Sequence, residues 1–464
     1  MVAPTATPRS SEERGATARV PRIGAVLRLW PGALVLLAGA ALRVVVILAY
    51  RPLFWFTDTG RYLKYAALGK PDTVRPWGYS GFLKLSLGVL SRREVVALQH
   101  ALMLACAGLL YLFLVRRGAR PWVASLAIVP LCLSPLVVNV EHHLLSDWQF
   151  VVLFTGAVVL LCWTDGRPAI WACALAGLCF ALAVVTRQVA LPLLAVLVAY
   201  LVVRRAGAAR VGAFALAAIV PVVGYLLWVH ATYGVYDFTA WSGKMLYARV
   251  APIAQCDRLG PLTAQQRELC DPRPPDRRPG QSTYLWTYGP QSRLPDAVLR
   301  AFARKVIAHQ PVDYGKTVAT EVAEVFSPGR IQHRGAACVA YWDYPDPLPG
   351  GCRKDAVGSK LWRKHPFRVI RPLADGLSAY QRLDALAGPV MLACVLAVGL
   401  ALIRRGPGGR LRLDALLLAV LGLGLIVATM ATADFTYRYT LPLYATLPVA
   451  AALAGTHLAR RRTG

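Results

Sequence analysis

Charge is scarce in this chain, and negative charge is scarcest. Of 464 residues only 16% are charged, 24 of them acidic against 52 lysines and arginines, whereas soluble domains carry about 25%. With 56% hydrophobic residues and a mean hydropathy of +0.47, the composition excludes a water-soluble globule and implies a polytopic membrane protein. The chain also lacks a Walker loop, zinc-finger spacing, a dinucleotide fingerprint and any repeat of solenoid period. Nucleotide-driven motors, zinc fingers, Rossmann enzymes and repeat arrays are thereby set aside.

What is present is a series of apolar runs approaching the roughly 20 residues that cross a bilayer as a helix. They fall near 31–50, 95–115, 123–140, 148–163, 169–185, 189–203, 211–229, 386–403, 415–432 and 441–458. The expected fold is all-α and polytopic with about ten transmembrane helices. Its expected organisation is a disordered cytoplasmic tail over 1–23, a transmembrane catalytic core with outer loops over 24–230, an extracytoplasmic segment with interfacial helices over 231–385, C-terminal transmembrane helices over 386–459 and a cytoplasmic tail over 460–464. A signal peptide cleaved at Ala38-Gly39-Ala40 competes for the first run, but that run continues to Tyr50.

The net charge of +28 does not point to nucleic acid, because the arginines are not gathered on one face. Arg116, Arg117 and Arg120, then Arg167, then Arg204, Arg205 and Arg210, then Arg404, Arg405, Arg410 and Arg412, then Arg460, Arg461 and Arg462 occupy alternate short loops. By the positive-inside rule these loops and both termini are cytoplasmic. The expected location is a cell membrane, with Asp58, Glu141, Arg187, Arg438 and the long segment after His230 on the other side.

Cysteine divides the same way. Cys106, Cys132, Cys162, Cys173, Cys179 and Cys394 sit in apolar runs, where cysteine behaves as a small hydrophobe. Cys256, Cys270, Cys338 and Cys352 fall in the outer segment, an oxidising setting that favours two disulfides. The most local pairing is Cys256 with Cys270 and Cys338 with Cys352.

An isolated carboxylate at a membrane edge is a functional candidate, since its burial in lipid is costly. Asp58 stands in Phe56-Thr57-Asp58-Thr59-Gly60-Arg61-Tyr62, directly after the first run. Helical spacing puts Asp58, Tyr62 and Ala66 on one face. Arg75-Pro76-Trp77-Gly78-Tyr79 then supplies a turn before the next apolar helix. A second loop reads Glu141-His142-His143-Leu144-Leu145-Ser146-Asp147-Trp148, in which Ser146 and Asp147 suit the start of a helix. Glu141 leaves an apolar run beside two histidines and needs a partner. A divalent cation shared with Asp58 is one candidate, with His143 as a further ligand. Before the last run comes Thr436-Tyr437-Arg438-Tyr439-Thr440-Leu441-Pro442. A guanidinium there suits a phosphate, which it can hold through two parallel hydrogen bonds. Arg187 and Arg43 are further phosphate candidates.

These motifs resemble those of the GT-C membrane glycosyltransferases, specifically the bacterial relatives of protein O-mannosyltransferases and aminoarabinose transferases. That family carries an acid, a tyrosine, a small residue and a glycine in its first outer loop, a glutamate in the second, and an Arg-Tyr-x-x-Pro element before its last span. It often has two adjacent acids in the first loop, where this chain has Asp58-Thr59. The resemblance implies a hexosyl- or pentosyltransferase whose donor is a polyprenyl-phosphate sugar and whose acceptor is a hydroxyl of a glycan, protein or lipid. It implies inversion at the anomeric carbon. Asp58, as the general base that takes the acceptor hydroxyl's proton, and Glu141 are the candidate catalytic carboxylates, and Tyr62, Tyr79, Arg187, Arg438 and Tyr439 the candidate substrate-binding residues. A secondary transporter of an anionic or lipid-linked solute and a non-catalytic envelope scaffold are the competing classes.

In the outer segment, Leu299, Phe302 and Val306 share a helical face, which suits either a helix lying on the membrane or one packed on the rest of the segment. The Pro-rich stretch 271–280 is expected to form a loop covering the acceptor site.

Overall fold

The structure, a computed structural model, describes residues 29–286, 293–332, 339–344, 368–403, 409–433 and 435–460. Cys338 and Cys352 lie outside the described residues, as do the 1–23 tail, Tyr288, Arg404, Arg405, Arg461 and Arg462. Among the described residues the architecture is all-α, with one two-residue strand pair, β1 (Tyr50–Arg51) and β2 (Arg368–Val369), antiparallel.

In chain order the main helices are α1 (Trp30–Ala49), α2 (Thr57–Leu68), α3 (Gly78–Ser86), α4 (Arg92–Arg116), α5 (Pro121–Leu133), α6 (Pro135–Glu141), α7 (Asp147–Cys162), α8 (Ile170–Thr186), α9 (Leu193–Val203), α10 (Ala208–Tyr233) and α11 (Ser242–Val250). They continue as α12 (Asp296–His309), α13 (Pro311–Glu324), α14 (Arg371–Tyr380), α15 (Ala387–Ile403), α16 (Gly409–Thr432) and α17 (Leu441–Arg460). Among the described residues six helical stretches are long and apolar enough to cross a membrane: Trp30–Ala49, Arg92–Arg116, Ala208–Tyr233, Arg371–Ile403, Gly409–Thr432 and Tyr437–Ala459. The bent pair α5–α6 is a further candidate, and Asp147–Cys162, Ile170–Thr186 and Gln188–Val203 are shorter apolar helices. The chain is a multi-pass membrane protein. Large apolar side chains such as Leu37 on α1 and Leu216 on α10 are exposed. In water such surfaces would be a liability, and against lipid tails they are at home.

Local chemistry sets the breaks that matter. Ser134 precedes Pro135, which disfavours helical backbone; Ser134 is extended, and its hydroxyl accepts from the Val137 amide that opens α6. The pair is bent by 51° there. Arg187, also extended, ends α8 before a single tight turn and Pro192. Both breaks free residues from the helix ladder at one end of the bundle. Ser91 and Glu94 cap α4 reciprocally. Gly177 lets α8 meet α10, since a Cβ there would lie 2.3 Å from the Phe214 carbonyl oxygen.

The two ends of α16 mark the two ends of the bundle. Near its start, buried Asp414 accepts from Arg117 at 2.5 Å and from the Tyr200 hydroxyl at 2.6 Å, and Arg204 donates to that hydroxyl at 3.0 Å. This cluster ties three of the arginine-rich loops together. Fifteen residues further, about 22 Å along a helix, Thr429 lines a cavity.

At the cavity end, the segment between α10 and α13 forms its own small core from Tyr247, Leu259, Tyr284, Leu299, Phe302 and Val306. The apolar face of α12 is therefore used in packing against the segment. Cys256 and Cys270 form a disulfide with their Cα atoms 6.1 Å apart. The 271–280 stretch is bound to this unit, with Arg278 donating to the Ala254 carbonyl at 2.5 Å, and does not line the cavity.

Candidate functional site

The cavity, about 260 Å³ in volume, lies between α2, the loop before α3, the starts of α7 and α11, the α8–α9 break, the end of α16 and the turn before α17. Tyr62, Arg75, Asp147, Arg187, Arg438 and Tyr439 supply its polar wall, and Val189, Met245, Leu246 and Ala433 an apolar one.

Asp58 lies behind the polar wall, in the first turn of α2. Arg75 Nη2 donates to its Oδ1 at 3.1 Å and Arg438 Nη2 to its Oδ2 at 2.8 Å. Burial pushes the Asp58 carboxyl up, but the two guanidiniums outweigh it and hold it well below the usual carboxylate range. Tyr62, one turn on, shares a 2.9 Å hydrogen bond with the Ser146 hydroxyl. Burial, with the nearby Asp58 charge, pushes its phenol up to about 12, so it stays protonated.

Asp147 is the second carboxylate. Arg187 donates to its Oδ1, while its Oδ2 accepts no hydrogen bond and lies 3.7 Å from Arg438 Nη1. Arg187 also lies 4.5 Å over the Tyr439 ring. The Arg438 guanidinium is sandwiched among Phe56, Trp342 and Tyr439, which hold its plane. The Nε groups of Arg75 and Arg438 are buried without a hydrogen-bond partner. Three guanidiniums thus face two carboxylates, leaving one positive charge in excess and buried donors to spare. The arrangement suits a singly charged anion with several acceptor oxygens.

The remaining candidates fall elsewhere. Glu141 is fully buried and hydrogen-bonded by Arg43 at 2.7 and 2.8 Å, so both leave the cavity to form an internal ion pair. Tyr79 donates to Gln99 at 2.6 Å and packs edge-on against Tyr62, supporting the wall without lining it. His143 donates from Nδ1 to the Asn139 carbonyl and packs against Phe54 and Trp342. Asp58, Glu141 and His143 do not form one centre. Among the described residues no group of three or more His, Cys, Asp or Glu is placed to hold a metal ion. Ser146 makes no capping bond, and its hydroxyl goes to Tyr62 instead.

Two residues of the wall were not among the sequence candidates. Arg75 reads as part of a turn, and Asp147 as a helix-initiating acid. The signal available was position: Arg75 lies in the same loop region as Asp58, 17 residues on, and Asp147 six residues after Glu141 at the start of an apolar helix.

No family model matches the chain, and no curated protein matches it. Among solved structures, it is similar to that of ArnT from Cupriavidus metallidurans bound to undecaprenyl phosphate. Identity is 13%, the alignment covers 93% of this chain and 78% of that one, and the TM-score is 0.34.

Proposed function

We propose that the protein is an integral membrane glycosyltransferase of the GT-C type. It moves a sugar from a polyprenyl-phosphate carrier to an acceptor hydroxyl at the extracytoplasmic face, with inversion. The observation that carries this reading is a buried carboxylate, Asp58, set behind an arginine-lined cavity with one excess positive charge, at the end of the bundle opposite the Arg117–Asp414 cluster.

The carrier's phosphodiester bears one negative charge and docks on Arg187 and Arg438, with Arg75 on its flank. The guanidiniums neutralise charge as the phosphate leaves the anomeric carbon. The apolar wall of Val189, Met245 and Leu246 takes the first part of the prenyl chain. Asp58 is a weak base while both arginines hold it. The phosphate competes for those same donors, and as Arg75 and Arg438 turn to it the carboxylate is uncovered and becomes more basic. Asp58 then accepts the acceptor hydroxyl's proton as that oxygen attacks from the face opposite the phosphate. Asp147 keeps Arg187 and Arg438 in place.

The test is carrier binding. Purified protein in lipid nanodiscs is titrated with polyprenyl phosphate, wild type against Arg187→Ala. Losing a charge-assisted hydrogen bond costs about 1.5–3 kcal/mol, so affinity should fall roughly ten- to hundredfold. Equal affinities would remove the phosphate from this cavity.

A further inference from the structure

The bundle holds a second polar cluster that the proposed reaction does not use. Glu141 Oε2 accepts from Arg43 Nε at 2.8 Å and lies 2.7 Å from His100 Nδ1. His100 Nε2 lies 3.3 Å from His142 Nδ1, and His142 Nε2 lies 2.7 Å from the Tyr50 carbonyl oxygen. Glu141, His100 and His142 are all buried.

The two ends of this row fix where hydrogens must be. The Tyr50 carbonyl can only accept, so His142 Nε2 carries a hydrogen. An ionised Glu141 can only accept, so His100 Nδ1 carries one too. A neutral imidazole has one donor nitrogen and one acceptor, so two neutral rings would then face each other lone pair to lone pair across 3.3 Å. One added proton removes the conflict. It can sit between the rings, or on Glu141 with His100 donating from Nε2 to His142. We infer that Glu141, His100 and His142 bind one proton in common, beyond those of an ionised glutamate and two neutral histidines.

The groups facing the row are Arg43 from α1, Cys106 from α4, Cys132 from α5, His143 from the turn after α6, and Tyr344. Arg43 is the one permanent charge among them. Its Nη1 also donates to the carbonyls of Gly39 at 3.1 Å and Cys132 at 2.7 Å, so its charge is spread over dipoles and Glu141 can serve the histidine side as well. Burial opposes a charge on the His142 ring. The donor count opposes its absence, because a buried unmade hydrogen bond is costly.

The row grips the segment that carries Ser146 and Asp147. Gln99, adjacent to His100, donates to the carbonyls of Glu141 at 2.8 Å and His143 at 2.9 Å. Loss of the shared proton sets two lone pairs against each other at the root of that segment. His100 and His142 are positioning residues for the cavity, and this consequence rests on the function proposed above, whereas the proton count does not.

The experiment is 15N NMR of histidine-labelled full-length protein in lipid, from mildly acidic to mildly alkaline pH, with infrared detection of carboxylic acids, and no substrate present. An imidazolium with both nitrogens protonated at neutral pH, or a carboxylic acid band lost in Glu141→Gln, supports the inference. In His142→Gln the amide donates to His100 Nε2, so either signal should vanish. Two neutral rings and an ionised Glu141 at every pH overturn it, on wild type alone if the variants fail to fold. Transfer activity should decline over the pH range in which the wild-type signal disappears, and that decline should be absent from His142→Gln. A proton that leaves without any change in activity overturns the positioning role while the count stands.

Discussion

Asp58 and Arg438, 380 positions apart, meet at 2.8 Å in a buried ion pair that joins the first helix after α1 to the turn before α17. Arg438 reaches Asp147 from its other terminal nitrogen at 3.7 Å. One planar guanidinium therefore spans both carboxylates, and its fork is what a lysine lacks.

Arg438→Lys keeps the charge but can satisfy only one side. A lost charge-assisted bond of about 1.5–3 kcal/mol corresponds to roughly a ten- to hundredfold fall in kcat/KM, measured in a steady-state transfer assay. Unchanged kinetics would show that the charge suffices and the fork does not matter.

Acid should weaken the fold through His143. Burial lowers its imidazole from 6.5 to about 4, so the folded state binds fewer protons than the unfolded one between those values. Its contribution is present above about pH 6.5 and is lost as pH falls toward 4, amounting to roughly 3 kcal/mol at most. His143→Phe keeps a ring against Phe54 and Trp342. Its melting temperature should vary less over that window than that of the wild type, as followed by scanning fluorimetry.

Gly78 opens α3 against the end of α8. A Cβ there would lie 2.6 Å from Thr186 Oγ1 and 2.7 Å from the Val185 carbonyl oxygen. Gly78→Ala should cost about 1–3 kcal/mol of stability and displace neighbouring Arg187, so that carrier affinity falls with it. A fully stable variant with wild-type carrier affinity would mean that α3 yields without cost.

Breaking the Cys256–Cys270 disulfide opens a loop of 14 residues. Closing one of that size stabilises by about 3 kcal/mol. Cys270→Ser should raise hydrogen exchange in α11 and α12, which share the small core around Tyr247 and Phe302, and leave α16 and α17 protected. Exchange rising equally throughout would mean that this small core and the bundle unfold together.

Much of this arrangement was legible because it is local. Apolar runs locate the long helices within a few residues, and spacing puts Asp58 and Tyr62 on one face. Tertiary partnering was not legible. Arg43 and Glu141 are lone charges in separate apolar runs, each readable as a ligand for something external, and only the structure pairs them with each other. The same holds for Arg75 with Asp58 and Arg187 with Asp147. Ser146 and Asp147 satisfy a helix-start pattern so well that their second use was hidden. The α8–α9 break had a local signal in Pro192, but nothing in the sequence says that the break turns Arg187 toward Asp147.

The most direct measurement is transfer of radiolabelled sugar from polyprenyl phosphate to cell-envelope acceptors by purified protein in lipid, comparing wild type, Asp58→Asn and Asp147→Asn. Positioned bases contribute about 10²–10⁴-fold. Asp58→Asn is expected to lose kcat on that scale while still binding carrier, and Asp147→Asn to lose carrier affinity first. Equal turnover by wild type and Asp58→Asn would contradict the base assignment. No transfer from any donor by the folded wild type would contradict the glycosyltransferase itself.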